Sequence, residues 1–136
     1  MGVPVLVVNN DPTTRNKMRH SLEVAGYHVM EAEDAETGLA TLRASERGMV
    51  VLFNVVLFGN MMQGTDGIAF LGAAACDTRL AHQHAFVIVT PTPEQLEAAL
   101  GRLLDHLSIP VIAEPIDADA LLHTVARSTW RLLVSA

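Results

Sequence analysis

The chain has 136 residues, half of them hydrophobic, and a positive mean hydropathy, which is enough for one domain with a sizeable core. Its formal charge is -6, and its 9 basic residues are spread along the chain, which excludes the clustered Lys and Arg of a nucleic-acid surface. No apolar run reaches the length of a membrane-spanning helix, the start lacks the basic segment of an export signal, and the one cysteine, Cys76, reads as a structural thiol of a cytoplasmic protein.

The elements alternate in type from the start. Val5 to Val8 is an unbroken apolar run of the kind a central parallel strand shows. Asp11 then reads as the N-cap of a helix with Pro12 at its first position, with Met18, Leu22 and Ala25 on one face and Gly26 at its end. Tyr27 to Ala32 reads as a second strand. Asp34 caps a second helix carrying Leu39 and Leu42, and Gly48 turns the chain into a third strand, Met49 to Asn54. Residues Phe58 to Gly67 hold three glycines and two methionines, Met61 and Met62, and read as a loop, with Met61-Met62 a sticky patch or simply adaptable packing. A helix beginning with Ile68, Phe70 and Leu71 follows, its end near Asp77 not set by any cap signal. Ala85 to Thr90 is a fourth strand, and Thr92-Pro93-Glu94-Gln95 a capping box for a helix presenting Leu96, Ala99, Leu100, Leu103 and Leu107. Ile109 to Ala113 is a fifth strand leading to Glu114-Pro115. Asp117 or Asp119 starts a last helix with Leu121, Leu122, Val125, Thr129, Leu132 and Leu133, which ends so near Ala136 that no output domain is expected to follow in this chain.

Alternating strands and helices imply a parallel sheet covered on both faces with right-handed crossovers, an arrangement met by the flavodoxin-like (βα)5 fold, a doubly wound sheet of order 2-1-3-4-5 between two helical layers. In such a sheet the crevice opens at the carboxyl ends of the strands, beside the switch point between the first and third. The side chains expected there are Asn9, Asn10, Asn54, Thr90 and Glu114. Three of these are amides, and an amide cannot do what a carboxylate does.

The stretch Val5-Leu6-Val7-Val8-Asn9-Asn10-Asp11-Pro12, with Arg15 and Gly26-Tyr27-His28-Val29, resembles the opening of response-regulator receiver domains of two-component signalling. The resemblance extends over nearly the whole chain. Asp66-Gly67, Val89-Thr90 and Glu114-Pro115 resemble the family's Asp-Gly, switch threonine and Lys-Pro pairs, while the loop from Asn54 to Asp66 is longer and lacks the usual Met-Pro. The family holds Mg²⁺ on two acidic residues after the first strand, phosphorylates an aspartate at the third strand tip, and uses a Thr or Ser on the fourth strand and a Lys on the fifth. Here those positions are Asn9, Asn10, Asn54, Thr90 and Glu114, so only the threonine survives.

The departures imply a degenerate, non-enzymatic receiver. A carboxamide oxygen is neutral and its lone pairs are delocalised, so Asn54 lacks the charge of a phosphoryl acceptor. Three amides do not repay the dehydration of Mg²⁺, so its binding is expected to be weak or absent, with no cofactor; Glu114 would repel a phosphoryl oxygen. As a set, the neutralised acids make a lysine unnecessary, and Asn9, Asn10 and Asn54 are expected to hydrogen-bond one another with Glu114 accepting from an amide. A displaced acceptor at Asp11 or Asp66 competes with simpler roles, a helix cap and a loop residue. His82 and His84, with no Cys or acidic partner beside them, read as a polar loop with no metal assigned.

The resemblance further implies a contact face on the fourth helix, fifth strand and fifth helix of the family, here assigned to Leu96, Leu100, Val111 and Leu121, with Val111 at the position of the family's aromatic. The expected partners are a histidine kinase or other signalling protein, or a second copy in a homodimer, with no nucleic acid and no membrane. The alternative from another class is a small-molecule sensor that uses Thr90, Asn10 and Asn54 as hydrogen-bond donors in the neutral crevice.

Overall fold

The computed structural model describes residues 3–55 and 67–135, and the expectations placed on Asp66, Met61 and Met62 lie outside them. Five strands form one parallel sheet: β1 (Val5–Val8), β2 (Val29–Ala32), β3 (Val50–Asn54), β4 (Ala85–Thr90) and β5 (Val111–Ala113), in the order β2-β1-β3-β4-β5. This is the expected order. Because β1 and β3 are covered on both faces, they are apolar along their length, and alternate side chains feed two separate cores. Leu6, Val8, Val51, Phe53, Phe86 and Ile88 point into one; Val5, Val7, Val50, Leu52, Val87 and Val89 point into the other.

The second core is closed by α1 (Pro12–Val24) through Met18 and Leu22, and by the last helix, α6 (Ala118–Ser135), through Leu121 and Val125. Asp11 caps α1 as expected, its carboxylate accepting from Thr13 N–H at 3.3 Å and Thr14 Oγ1 at 2.6 Å. At the other end Tyr27 N–H donates to Leu22 O at 3.1 Å and Gly26 N–H to Glu23 O at 3.0 Å, a Schellman closure that requires the positive φ of Gly26. Ala25 is the C-cap and exposed; it does not share the face of Met18 and Leu22. The strand after it is shorter than the expected Tyr27–Ala32.

The first core is covered by α2 (Ala35–Ala44), α3 (described over residues 67–75), α4 (Thr78–Gln83) and α5 (Pro93–Leu107). Helix α3 runs over residues 67–70 and widens into a π turn at Leu71–Ala75, where Cys76 N–H reaches back to Leu71 O at 3.2 Å. The small residues Gly72 to Ala75 permit that wider turn. Asp77 then caps α4 through Arg79 and Leu80 N–H, which places the helix end that periodicity left open. Phe53, Phe70 and Phe86 form an aromatic cluster in this core, with ring centroids 4.9 Å apart for Phe53 and Phe70 and 6.3 Å for the other two pairs.

Three local expectations are corrected. Thr92 makes no side-chain cap, because its N–H donates to Thr90 Oγ1 at 3.2 Å and holds it in another conformation, so the capping box does not form. On α5 the buried residues are Leu96 and Leu104, whereas Ala99 is exposed. His84, at the connection between α4 and β4, is buried and not solvent-facing: it is 3% exposed, and its Nδ1 accepts from Met49 N–H at 3.0 Å, while His82 lies exposed on α4.

Candidate functional site

The carboxyl ends of β1, β3, β4 and β5 converge as the topology requires, and they bring Asn9, Asn10, Asn54, Thr90 and Glu114 to one pole of the sheet. Each sits differently. Asn9 is 3% exposed: its Oδ1 accepts from Asp11 N–H at 2.9 Å, and its carbonyl accepts from Arg15 Nη1 at 2.7 Å. The side chain thus shapes the turn into α1. Asn10 is exposed and Asn54 half-buried, and no hydrogen bond joins the three amides among the described residues. The expected amide network is therefore not formed, because Asn9 is already committed to the turn.

Gly67 explains how β3 and α3 meet beside Asn54. A Cβ at Gly67 would overlap the Asn54 carbonyl oxygen and come within 2.8 Å of Val55 Cα, so only glycine lets α3 approach the strand tip this closely. The space remaining beside Asn9, Asn10, Asn54 and Gly67 is about 10 Å³, room for at most one water.

Thr90 is fully buried, and its hydroxyl accepts from Thr92 N–H and lies 3.4 Å from Thr92 Oγ1. It links β4 to the start of α5. Glu114 is half-buried, its N–H donating to Thr90 O at 2.8 Å, and it is followed by the cis Glu114-Pro115 bond. Burial, and then the neighbouring Asp11 carboxylate, push the Glu114 pKa up. The Thr14 hydroxyl, Asp11's first partner, draws the Asp11 pKa down. Sequence reasoning missed this pairing of acids. The signal was the tip positions of β1 and β5 taken together, which treats Glu114 as paired with Asp11 and not alone.

The donor set does not fit Mg²⁺. Neutral amides occupy the tips of β1 and β3, the Asp11 carboxylate is held by its own helix, and among the described residues no three His, Cys, Asp or Glu side chains gather closely enough to hold a metal.

Of the residues assigned to a contact face, Leu96 and Leu121 are fully buried and serve as interior anchors, one in each core. Only Leu100 and Val111 are partly exposed. Among the described residues no helix is long and apolar enough to cross a membrane.

With the parallel order 2-1-3-4-5 and the polar tips in place, comparison with solved structures is decisive for the architecture. The fold is that of CheY-like receiver domains. The chain superposes on the chemotaxis response regulator CheY4 of Vibrio cholerae with a TM-score of 0.72 at 21% identity, covering 94% of this chain and 99% of that one. It superposes on a CheY-like receiver domain protein of Methanospirillum hungatei with a TM-score of 0.75 at 18% identity, covering 98% of each chain. A sensor protein of Polaromonas gives 0.76 at 19% identity, covering 97% of this chain and 99% of that one. Among curated proteins, Protein PilH of Pseudomonas aeruginosa is 29% identical over 127 residues, 89% of this chain and 93% of the relative. No family model matches the chain.

Proposed function

We propose that the chain is a receiver-like module of phosphorelay signalling that works by protein contact and does not accept a phosphoryl group. The observation that carries this reading is the amide of Asn54 at the tip of β3, beside Asn9 and Asn10 and across from Glu114. Transfer to a side chain needs an anionic oxygen, and the transferring phosphate needs a cation or lysine to offset its charge; this pole supplies neutral amides and a carboxylate. Asp11 is a poor substitute because both its oxygens already accept hydrogen bonds within α1. With the trigger absent, a shift between two states has to come from a partner's differential affinity. The partner in this reading is a histidine kinase or another signalling protein, or a second copy, docking over the partly exposed Leu100 and Val111.

Intact-mass spectrometry after incubation with Mg²⁺ and acetyl phosphate tests the reading, with Asn54→Asp/Glu114→Lys as comparison. The parent is expected to gain no phosphoryl mass. A phosphoryl adduct on the parent would overturn the proposal and point to a displaced acceptor.

A further inference from the structure

A larger cavity, which shares Glu114 with the crevice, lies between α1 and the turn from β5 into α6. Its volume is about 400 Å³, within the range of small-molecule sites. Its floor is apolar: Met18 and Leu121, 1% and 0% exposed, belong to the core beneath it, and Ile116 lines it from the turn. Positions 14, 17, 18 and 21 share one face of α1 by helical spacing, so Thr14, Lys17 and Ser21 come to the cavity together with the Met18 anchor.

The charges around this cavity are separated. Glu114 lines it, and Lys17 lines it, yet among the described residues neither forms an ion pair with the other or with any other group. Asp11 adds a second negative charge near Glu114, and burial and that repulsion together raise the Glu114 pKa, so a cation placed there would relieve both costs. Arg15 adds to the Thr14 hydroxyl in lowering the Asp11 pKa, but its guanidinium donates to Glu31 Oε1 at 3.2 Å and to the Asn9 carbonyl at 2.7 Å and makes no ion pair with Glu114. The site therefore offers a carboxylate and an exposed ammonium, neither in an ion pair, over an apolar floor, with the exposed His20 also lining it.

We propose that this cavity binds a small zwitterion of the α-amino-acid class, with its ammonium on Glu114, its carboxylate on Lys17 and an aliphatic side chain against Met18, Ile116 and Leu121. The site shares Glu114 with the crevice but none of Asn9, Asn10, Asn54 or Thr90, and it does not rest on the contact reading above. Because it lies between α1 and the entry to α6, which already share the core of Met18, Leu22, Leu121 and Val125, a bound ligand would add a further link between these two helices.

The test is isothermal titration calorimetry on the full chain with the aliphatic amino acids, using leucine, isoamylamine and 4-methylpentanoate as a matched set. Leucine or a close aliphatic analogue is expected to bind, and the two truncated compounds to bind at least about tenfold more weakly, as loss of one charge-assisted contact implies. Glu114→Gln and Lys17→Met are each expected to lose about tenfold or more, Ile116→Trp to abolish binding by filling the cavity, and Glu97→Gln on α5 to change nothing. Thermal melts of each variant verify that it is folded. The proposal is overturned if no aliphatic amino acid binds the folded parent, if the amine or the acid alone binds as well as leucine, or if folded Glu114→Gln retains full affinity.

Discussion

Replacing His84 by asparagine separates a proton from a fold. His84 is 3% exposed, and its Nδ1 accepts from Met49 N–H at 3.0 Å, which places the neutral ring's proton on Nε2, buried without a partner and edge-on to Phe86. Charging the ring would bury a cation and turn Nδ1 into a second donor facing Met49. Burial accordingly brings the His84 pKa down from 6.5 to about 4. Because the folded value lies below the unfolded one, the unfolded chain takes up the proton first. The stability this neutral ring supports is complete above pH 6.5, declines as the pH falls, and reaches its full loss below pH 4. Between pH 7 and pH 5 the loss is about 2 kcal/mol, or a fall in Tm of about 6–10 °C for a chain of this size. The asparagine carbonyl can still accept from Met49 N–H but does not titrate. Urea unfolding followed by circular dichroism at pH 7, 6 and 5 is the assay. His84→Asn is expected to start less stable at pH 7, from lost packing, and to lose clearly less than the parent on going to pH 5. Parallel losses in parent and variant would refute the assignment of the acid sensitivity to His84.

Glu114→Gln should be more stable than the parent at pH 7 and lose that advantage in acid. The folded carboxyl has a raised pKa, so its charge costs stability above that pKa, and protonation relieves the cost as pH falls; a variant less stable than the parent at neutral pH would contradict it. Leu96→Ala should cost about 2–5 kcal/mol in urea unfolding, the range for emptying a fully buried leucine site, and the partly exposed Leu100→Ala distinctly less. Equal costs at the two positions would mean that the packing of α5 is misassigned.

The sheet was legible because central parallel strands are covered on both faces and so appear as unbroken apolar runs, as Val5–Val8 and Val50–Phe53 do. Helix starts at Asp11 and Asp34 were legible because a cap is a local exchange between one side chain and the next few N–H groups. The same local logic failed at Thr92, where the hydroxyl of Thr90, two residues back on β4, took the N–H and set the conformation. It failed again at α3, since a π turn is permitted by small residues but demanded only by what packs around it.

Composition, hydrophobic period and the order of polar strand tips by themselves determined the β/α alternation and the amides at the strand tips, because each is encoded within a few residues of where it acts; the order 2-1-3-4-5 followed from the resemblance to receiver domains and is fixed by pairing of distant strands. Only the tertiary structure decided that Leu96 and Leu121 face inward, that His84 is buried, that Asn9 is spent on its own turn, and that Glu114 and Lys17 line one cavity without pairing. Those outcomes depend on groups far apart in sequence meeting at fixed distances. The energies involved, burial of a side chain and repulsion between carboxylates, exist only once the sheet has brought the groups together.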